Sequence, residues 1–71
     1  MIETANLQAF VKVAETGSFS VSASQLFLTQ PAISKRIKQL ETQLGSKLLD
    51  RYGKNLQLTQ TGLVLLPRAR Q

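Results

Sequence analysis

The stretch from Thr29 to Gly45 constrains this chain more than any other. Ile33, Ile37, Leu40 and Leu44 follow at steps of four, three and four, an apolar stripe that an α-helix aligns on one side. Both ends are marked. Thr29 can accept from the first unpaired backbone N–H groups, and Pro31 stands in the first turn, where a missing N–H has no consequence. Gly45 supplies the left-handed residue on which helices commonly stop. At about 100° per residue, Pro31, Ser34, Lys35, Lys38 and Thr42 lie opposite the stripe, with Arg36 and Glu41 on its flanks. A helix over 30–44 must bury one face and leave a polar, basic face outside.

The segments around it are less explicit. Leu7, Phe10, Val11 and Ala14 predict a first helix from about Ala5 to Thr16, with Thr4 as cap and Gly17 as stop. Residues 18–26 admit two readings. Their alternation of serine and apolar residues has the period of a strand. With Ser20 as N-cap they also fit a short helix, Val21 to Phe27, that turns Ser22, Ala23 and Leu26 inward; small residues at 22 and 23 would let another helix cross closely. After Gly45 the runs Leu48–Tyr52 and Leu56–Thr59, separated by Gly53-Lys54-Asn55, predict a β-hairpin with a basic tip. Thr59 or Thr61 then caps a last helix, Leu63 to Arg70, in which Pro67 predicts a bend or fray.

Composition narrows the chemistry. Seventy-one residues allow one small domain. With neither cysteine nor histidine, the chain lacks disulfides, thiolate or imidazole metal sites, and the commonest nucleophile–base pairs, so no metal or cofactor is expected. The carboxylates Glu3, Glu15, Glu41 and Asp50 are scattered, no serine has a Ser-x-x-Lys spacing, and Gly53-Lys54 lacks the frame of a phosphate loop. An enzyme is not expected. Met1 to Asn6 show no signal peptide, and the longest apolar run, Leu63 to Leu66, is far too short for a membrane span. A cytoplasmic protein that folds by packing alone is expected. The net charge of +5 is uneven: residues 1–34 sum to −1, residues 35–54 to +4, and residues 55–71 to +2. A folded basic domain points to a polyanion. A basic amphipathic membrane-surface domain would carry aromatics on such a helix, and 30–44 has none. A protein-interaction module would leave Gln30, Ser34 and Lys35 without a job.

If 18–26 is helical, two helices joined by Phe27-Leu28-Thr29 form a helix-turn-helix pattern with a basic second helix. Such a helix fits the major groove of DNA, and its first two turns carry side chains able to reach base edges: Thr29, Gln30, Pro31, Ser34 and Lys35. A basic hairpin tip such as Lys54 can lie along or inside the neighbouring minor groove, and Arg51 could pair with Glu41. Leu63 to Leu66 are apolar nearly all round, so part of that helix is expected to face a partner.

The run SFSVSASQLFLTQPAISKRIKQLETQLG, followed by KLLDRYGKNLQLTQTG and LLPRAR, resembles the winged helix-turn-helix of LysR-type transcriptional regulators. The resemblance spans essentially the whole chain and is strongest at TQPAIS, LExxLG and LTxxG. It implies a mostly α fold with a small hairpin wing: three helices, the wing and the start of a linker helix. Residues 18–26 are then helical. It implies a DNA-binding domain over 1–59 and the beginning of a dimerisation helix over 60–71, with Leu63, Leu65 and Leu66 in the dimer contact. It further implies a bacterial cytoplasmic regulator, nucleoid-associated when bound, that binds double-stranded promoter DNA as a homodimer or homotetramer. A small-molecule effector would bind a C-terminal domain outside this chain. The recognition positions carry over to Thr29, Gln30, Pro31, Ser34 and Lys35, and the backbone and wing positions to Lys38, Arg51 and Lys54. Ser22 departs from a usual alanine, and Lys35 and Lys54 stand where arginine is frequent, replacing a planar fork with a point charge.

Overall fold

A computed structural model describes residues 3–52 and 55–70, with the side chains of Arg51 and Tyr52 excepted. Its elements run α1 (Thr4–Thr16), α2 (Phe19–Gln25), α3 (Gln30–Leu44), β1 (Leu49–Tyr52), β2 (Asn55–Leu58) and α4 (Gln60–Ala69). Among the described residues no helix is long and apolar enough to cross a membrane.

α3 forms as its sequence dictates. The Thr29 hydroxyl accepts from the Ala32 N–H at 3.2 Å, and Gly45 closes the helix at φ 69°. Ile33, Ile37 and Leu40 are buried, and Leu44 is half-buried. α2 is helical, but its cap is Ser18 rather than Ser20: the Ser18 hydroxyl accepts from the Val21 N–H at 3.1 Å. Ser22 and Ala23 do face inward. The Ser22 hydroxyl is fully buried, donates to the Ser18 carbonyl at 2.7 Å and pairs with the Thr16 hydroxyl at 2.8 Å. A serine in the close-packed position is therefore satisfied locally, without a buried orphan group.

α1 differs in its centre. Its N-cap is Glu3, which makes no side-chain cap bond, so Thr4 is the first helical residue and not the cap. The buried residues are Asn6, Ala9, Phe10 and Val13, one position back from the expected stripe. Leu7, Val11 and Ala14 are half-buried. α1 packs against three elements, chiefly α3 and α2 and less extensively α4. Asn6 is only 2% exposed, and its amide donates to the Gln39 side chain at 3.4 Å.

The hairpin is antiparallel, with Leu49 opposite Leu58 and Tyr52 opposite Asn55. Leu48 precedes the strand as a fully buried core residue, and Asn55 opens β2 instead of ending the turn. The expected turn residues Gly53 and Lys54 lie outside the described residues. α4 is capped by Thr59, whose hydroxyl accepts from the Gly62 N–H at 3.1 Å, and it continues through Pro67 to Ala69. One core holds these elements together: Ala9, Phe10, Val13, Ala23, Ile33, Ile37, Leu40 and Leu48.

Gly62 is where α4 comes closest to the rest. A Cβ on this residue would collide with the Leu48 carbonyl oxygen, a backbone atom that cannot swing aside. Alanine would gain about 1 kcal/mol in an unobstructed helix interior. Overpacking here opposes that gain with about 1–3 kcal/mol. Gly62→Ala is therefore expected to lower stability, read as an earlier midpoint in urea unfolding with unchanged slope; a later midpoint would show that the close approach does not exist.

Candidate nucleic-acid interface

Folding uses one side of α3 and leaves the other uncommitted. Gln30, Pro31, Lys35 and Lys38 are exposed and Ser34 is half-buried at the edge of the same face. Among the described residues, the side chains of Gln30, Ser34, Lys35 and Lys38 have no intramolecular hydrogen bond or ion pair. By contrast, Arg70 Nε lies 3.5 Å from Glu15 Oε2, tying α4 to α1. Thr29 is half committed: its oxygen caps the helix, while the hydroxyl proton remains free to donate.

The uncommitted row stands on a ridge. On one side a shallow depression opens between α3 and the start of α1, with Glu3 and Asn6 on its far wall. On the other, a cleft separates α3 from the hairpin, with Leu49 and Leu56 on its far wall. Ser34 and Lys38 border both. A convex helix carrying donors and two cations, flanked by depressions, has the shape to enter a groove while its flanks receive the groove's rims.

The segment that leads into the hairpin is tied to α3 by a side chain and to the start of α4 by further hydrogen bonds. Glu41 Oε2 accepts from the Leu48 N–H at 2.8 Å. The Leu48 carbonyl accepts from the Thr59 N–H at 3.0 Å, and the Thr59 hydroxyl donates to the Lys47 carbonyl at 2.5 Å. Ser46 and Thr61 hydroxyls meet at 2.8 Å. The side chains of Arg51 and Lys54, and with them the expected Arg51–Glu41 pairing, lie outside the described residues.

α4 divides its apolar run. Gly62 is buried, Leu65 and Leu66 are half-buried against the core, and Leu63 and Val64 are 55% and 56% exposed.

The comparisons with known proteins decide the family. The model for bacterial regulatory helix-turn-helix proteins of the lysR family matches residues 4–63. The chain belongs to the LysR family. An HTH-type transcriptional regulator from the ibpB–leuC intergenic region of Azotobacter vinelandii is 56% identical over 68 residues, which is 96% of this chain and 47% of that protein. The chain thus spans about half the length of this curated relative. The H2O2-bound C206S mutant of Corynebacterium glutamicum OxyR superposes with a TM-score of 0.94 at 36% identity, covering 99% of this chain and 22% of that one. The DNA-binding domain of CbnR, solved as a complex with DNA, superposes with a TM-score of 0.89 at 37% identity, covering 96% of this chain and 78% of that one. In this LysR-family domain the helix-turn-helix is α2, the turn and α3; the wing is β1–β2. These relatives are transcriptional regulators rather than enzymes.

Sequence reasoning missed Phe27. It has φ 57° and is 94% exposed, in the turn between α2 and α3. The Leu28 N–H reaches the Ala23 carbonyl at 2.8 Å and the Phe27 N–H the Ser24 carbonyl at 3.3 Å. This is the Schellman pattern, in which the left-handed residue is usually glycine. α3 ends on the same pattern, with Ser46 bonded to the Glu41 carbonyl and Gly45 to that of Thr42. One copy keeps glycine; the other holds a phenylalanine where an L-residue is strained by about 1–2 kcal/mol. No local signal announces this, because phenylalanine argues against a left-handed residue.

The Glu41–Leu48 bond links the wing to α3. Removing the carboxylate would leave the Leu48 N–H without its acceptor, so Glu41→Ala is expected to destabilise the domain by about 1–3 kcal/mol. Chemical denaturation checks this, and a change below about 0.5 kcal/mol would show that water replaces the carboxylate without loss.

Proposed function

We propose that this chain is the sequence-specific duplex-DNA-binding part of a bacterial transcriptional regulator. The observation that carries the reading is the uncommitted row Gln30, Ser34, Lys35 and Lys38 on the ridge of α3. The DNA complex of the similar CbnR domain supports it. α3 enters the major groove. Gln30 suits the paired acceptor and donor of adenine, and Lys35 the acceptors of guanine. Ser34 and the free Thr29 hydroxyl proton serve either base or a phosphate, and Pro31 offers apolar surface to a thymine methyl. Lys38 meets phosphate, and Arg51 and Lys54 extend the contact along the wing towards the minor groove.

Residues 1–59 form the DNA-binding domain, and residues 60–71 begin a linker helix whose first turn also seals the core through Gly62. Leu63, with Leu65, Leu66 and the neighbouring Val64, opens a dimer contact. The full-length regulator works as a homodimer or homotetramer in the bacterial cytoplasm, with a small-molecule effector bound by a C-terminal domain. The function requires no metal or cofactor of this domain.

Selection of the chain on a random duplex pool tests the reading, with the enriched sequence then titrated against salt. Enrichment of a half-site or dyad, with affinity falling steeply as salt rises, is expected. A folded sample that binds no duplex at low salt overturns it. On the enriched site Gln30→Ala is expected to lose about 1–3 kcal/mol and to relax preference at one base position. Lys38→Ala should weaken all duplexes alike and reduce the salt slope by about one; an unchanged slope would remove Lys38 from the backbone contacts.

A further inference from the structure

Phe27 serves neither the core nor the polar row on α3. Its ring is 94% exposed, so folding gains almost nothing from its burial, yet its backbone sits at φ 57°, where glycine or asparagine would be at ease. Backbone outliers of this kind cluster at functional sites, held by the surrounding structure, here the Schellman turn that ends α2. The position is specific: two residues before Thr29, the cap of α3. Its direct neighbours Leu26 and Leu28 are half-buried against the core, and beyond them Ser24, Gln25, Thr29 and Gln30 are exposed and polar. A docking face for protein would present a contiguous apolar patch. A single ring inside a polar rim, next to the end of a helix whose N–H groups attract anions, matches a nucleic-acid backbone instead. There apolar sugar edges alternate with phosphates.

We propose that Phe27 is a further DNA-contacting residue, its ring packing on the deoxyribose edge of the strand that borders the groove occupied by α3. The inference rests on the duplex-binding reading above. The left-handed backbone of the turn holds the ring outward, so the conformation that strains the domain presents the contact. An apolar contact displaces no counterions, so it contributes affinity without salt dependence.

The test uses Phe27→Asn and Phe27→Leu in this 71-residue chain, each examined by thermal unfolding and by titration with the enriched duplex over a range of salt. Phe27→Asn is expected to raise the unfolding midpoint by several degrees, to weaken duplex binding about tenfold through lost apolar burial, and to leave the salt slope unchanged. Phe27→Leu, which keeps apolar bulk, is expected to recover part of the affinity. A Phe27→Asn variant that binds as tightly as the parent overturns the proposal while leaving the duplex-binding reading intact. So does a lowered unfolding midpoint, which would make the ring structural. So does a loss of affinity accompanied by a changed association state in sedimentation, which would assign the ring to a second copy of the chain. A parent chain that binds no duplex overturns both readings.

Discussion

Leu48 is the residue on which the arrangement of the domain depends. Its side chain is fully buried in the core. Its N–H is held by the Glu41 carboxylate of α3, its carbonyl by the Thr59 N–H at the start of α4, and the same carbonyl lies against Gly62. One residue thus fixes α3, the hairpin and α4 relative to one another. The motif with leucine and glutamate before Gly45, and the motif with threonine and glycine in α4, are two halves of this junction. Glu41 supplies an acceptor at the correct reach, Gly45 turns the chain, Thr59 caps, and Gly62 removes the side chain that would hold α4 away.

With that junction in place, α3 can divide its labour by angle. Ile33, Ile37 and Leu40 satisfy the core, and Thr29 and Gly45 satisfy the helix ends. Nothing in folding requires Gln30, Lys35 or Lys38 to be anything in particular. A domain this small has only a few kcal/mol of net stability. Polar groups left unpartnered on an exposed ridge are hydrated and do not draw on that margin, so the contact face can be specified separately from the fold. Phe27 is the exception, because its backbone conformation is part of the turn that sets α3 against α2.

How much of this the sequence discloses follows from how local each determinant is. α3 is legible from end to end, since its caps and stripe lie within seventeen consecutive residues. α2 is not, because seven residues rich in serine carry too little periodicity: the pattern leaves helix and strand even and the resemblance to a family favours the helix, but neither foresees that Ser18 caps it or that the Thr16 and Ser22 hydroxyl groups meet over the Ser18 carbonyl. The stripe of α1 is displaced because its packing is set chiefly by α2 and α3, later in the chain, and no local period records those contacts. The burial of Asn6 is not legible locally either, since its partner Gln39 is on α3. On the candidate interface the residue types of α3 are legible from spacing. That Thr29 is half committed and that Glu41 serves Leu48 are tertiary facts.

The run Leu63 to Leu66 shows the same principle at the other end of the chain. In sequence it is uniformly apolar. In the fold, Gly62, Leu65 and Leu66 turn towards the core, while Leu63 and Val64 turn away. α4 is therefore a domain helix on one side and an open apolar surface on the other. Because Leu48 locks its first turn to the same junction that holds α3, the direction in which α4 leaves the domain is set relative to the ridge. An element joined to the far end of α4 inherits a defined orientation towards whatever α3 meets, and rotating α4 about its axis would bring a residue with a side chain against the Leu48 carbonyl in place of Gly62.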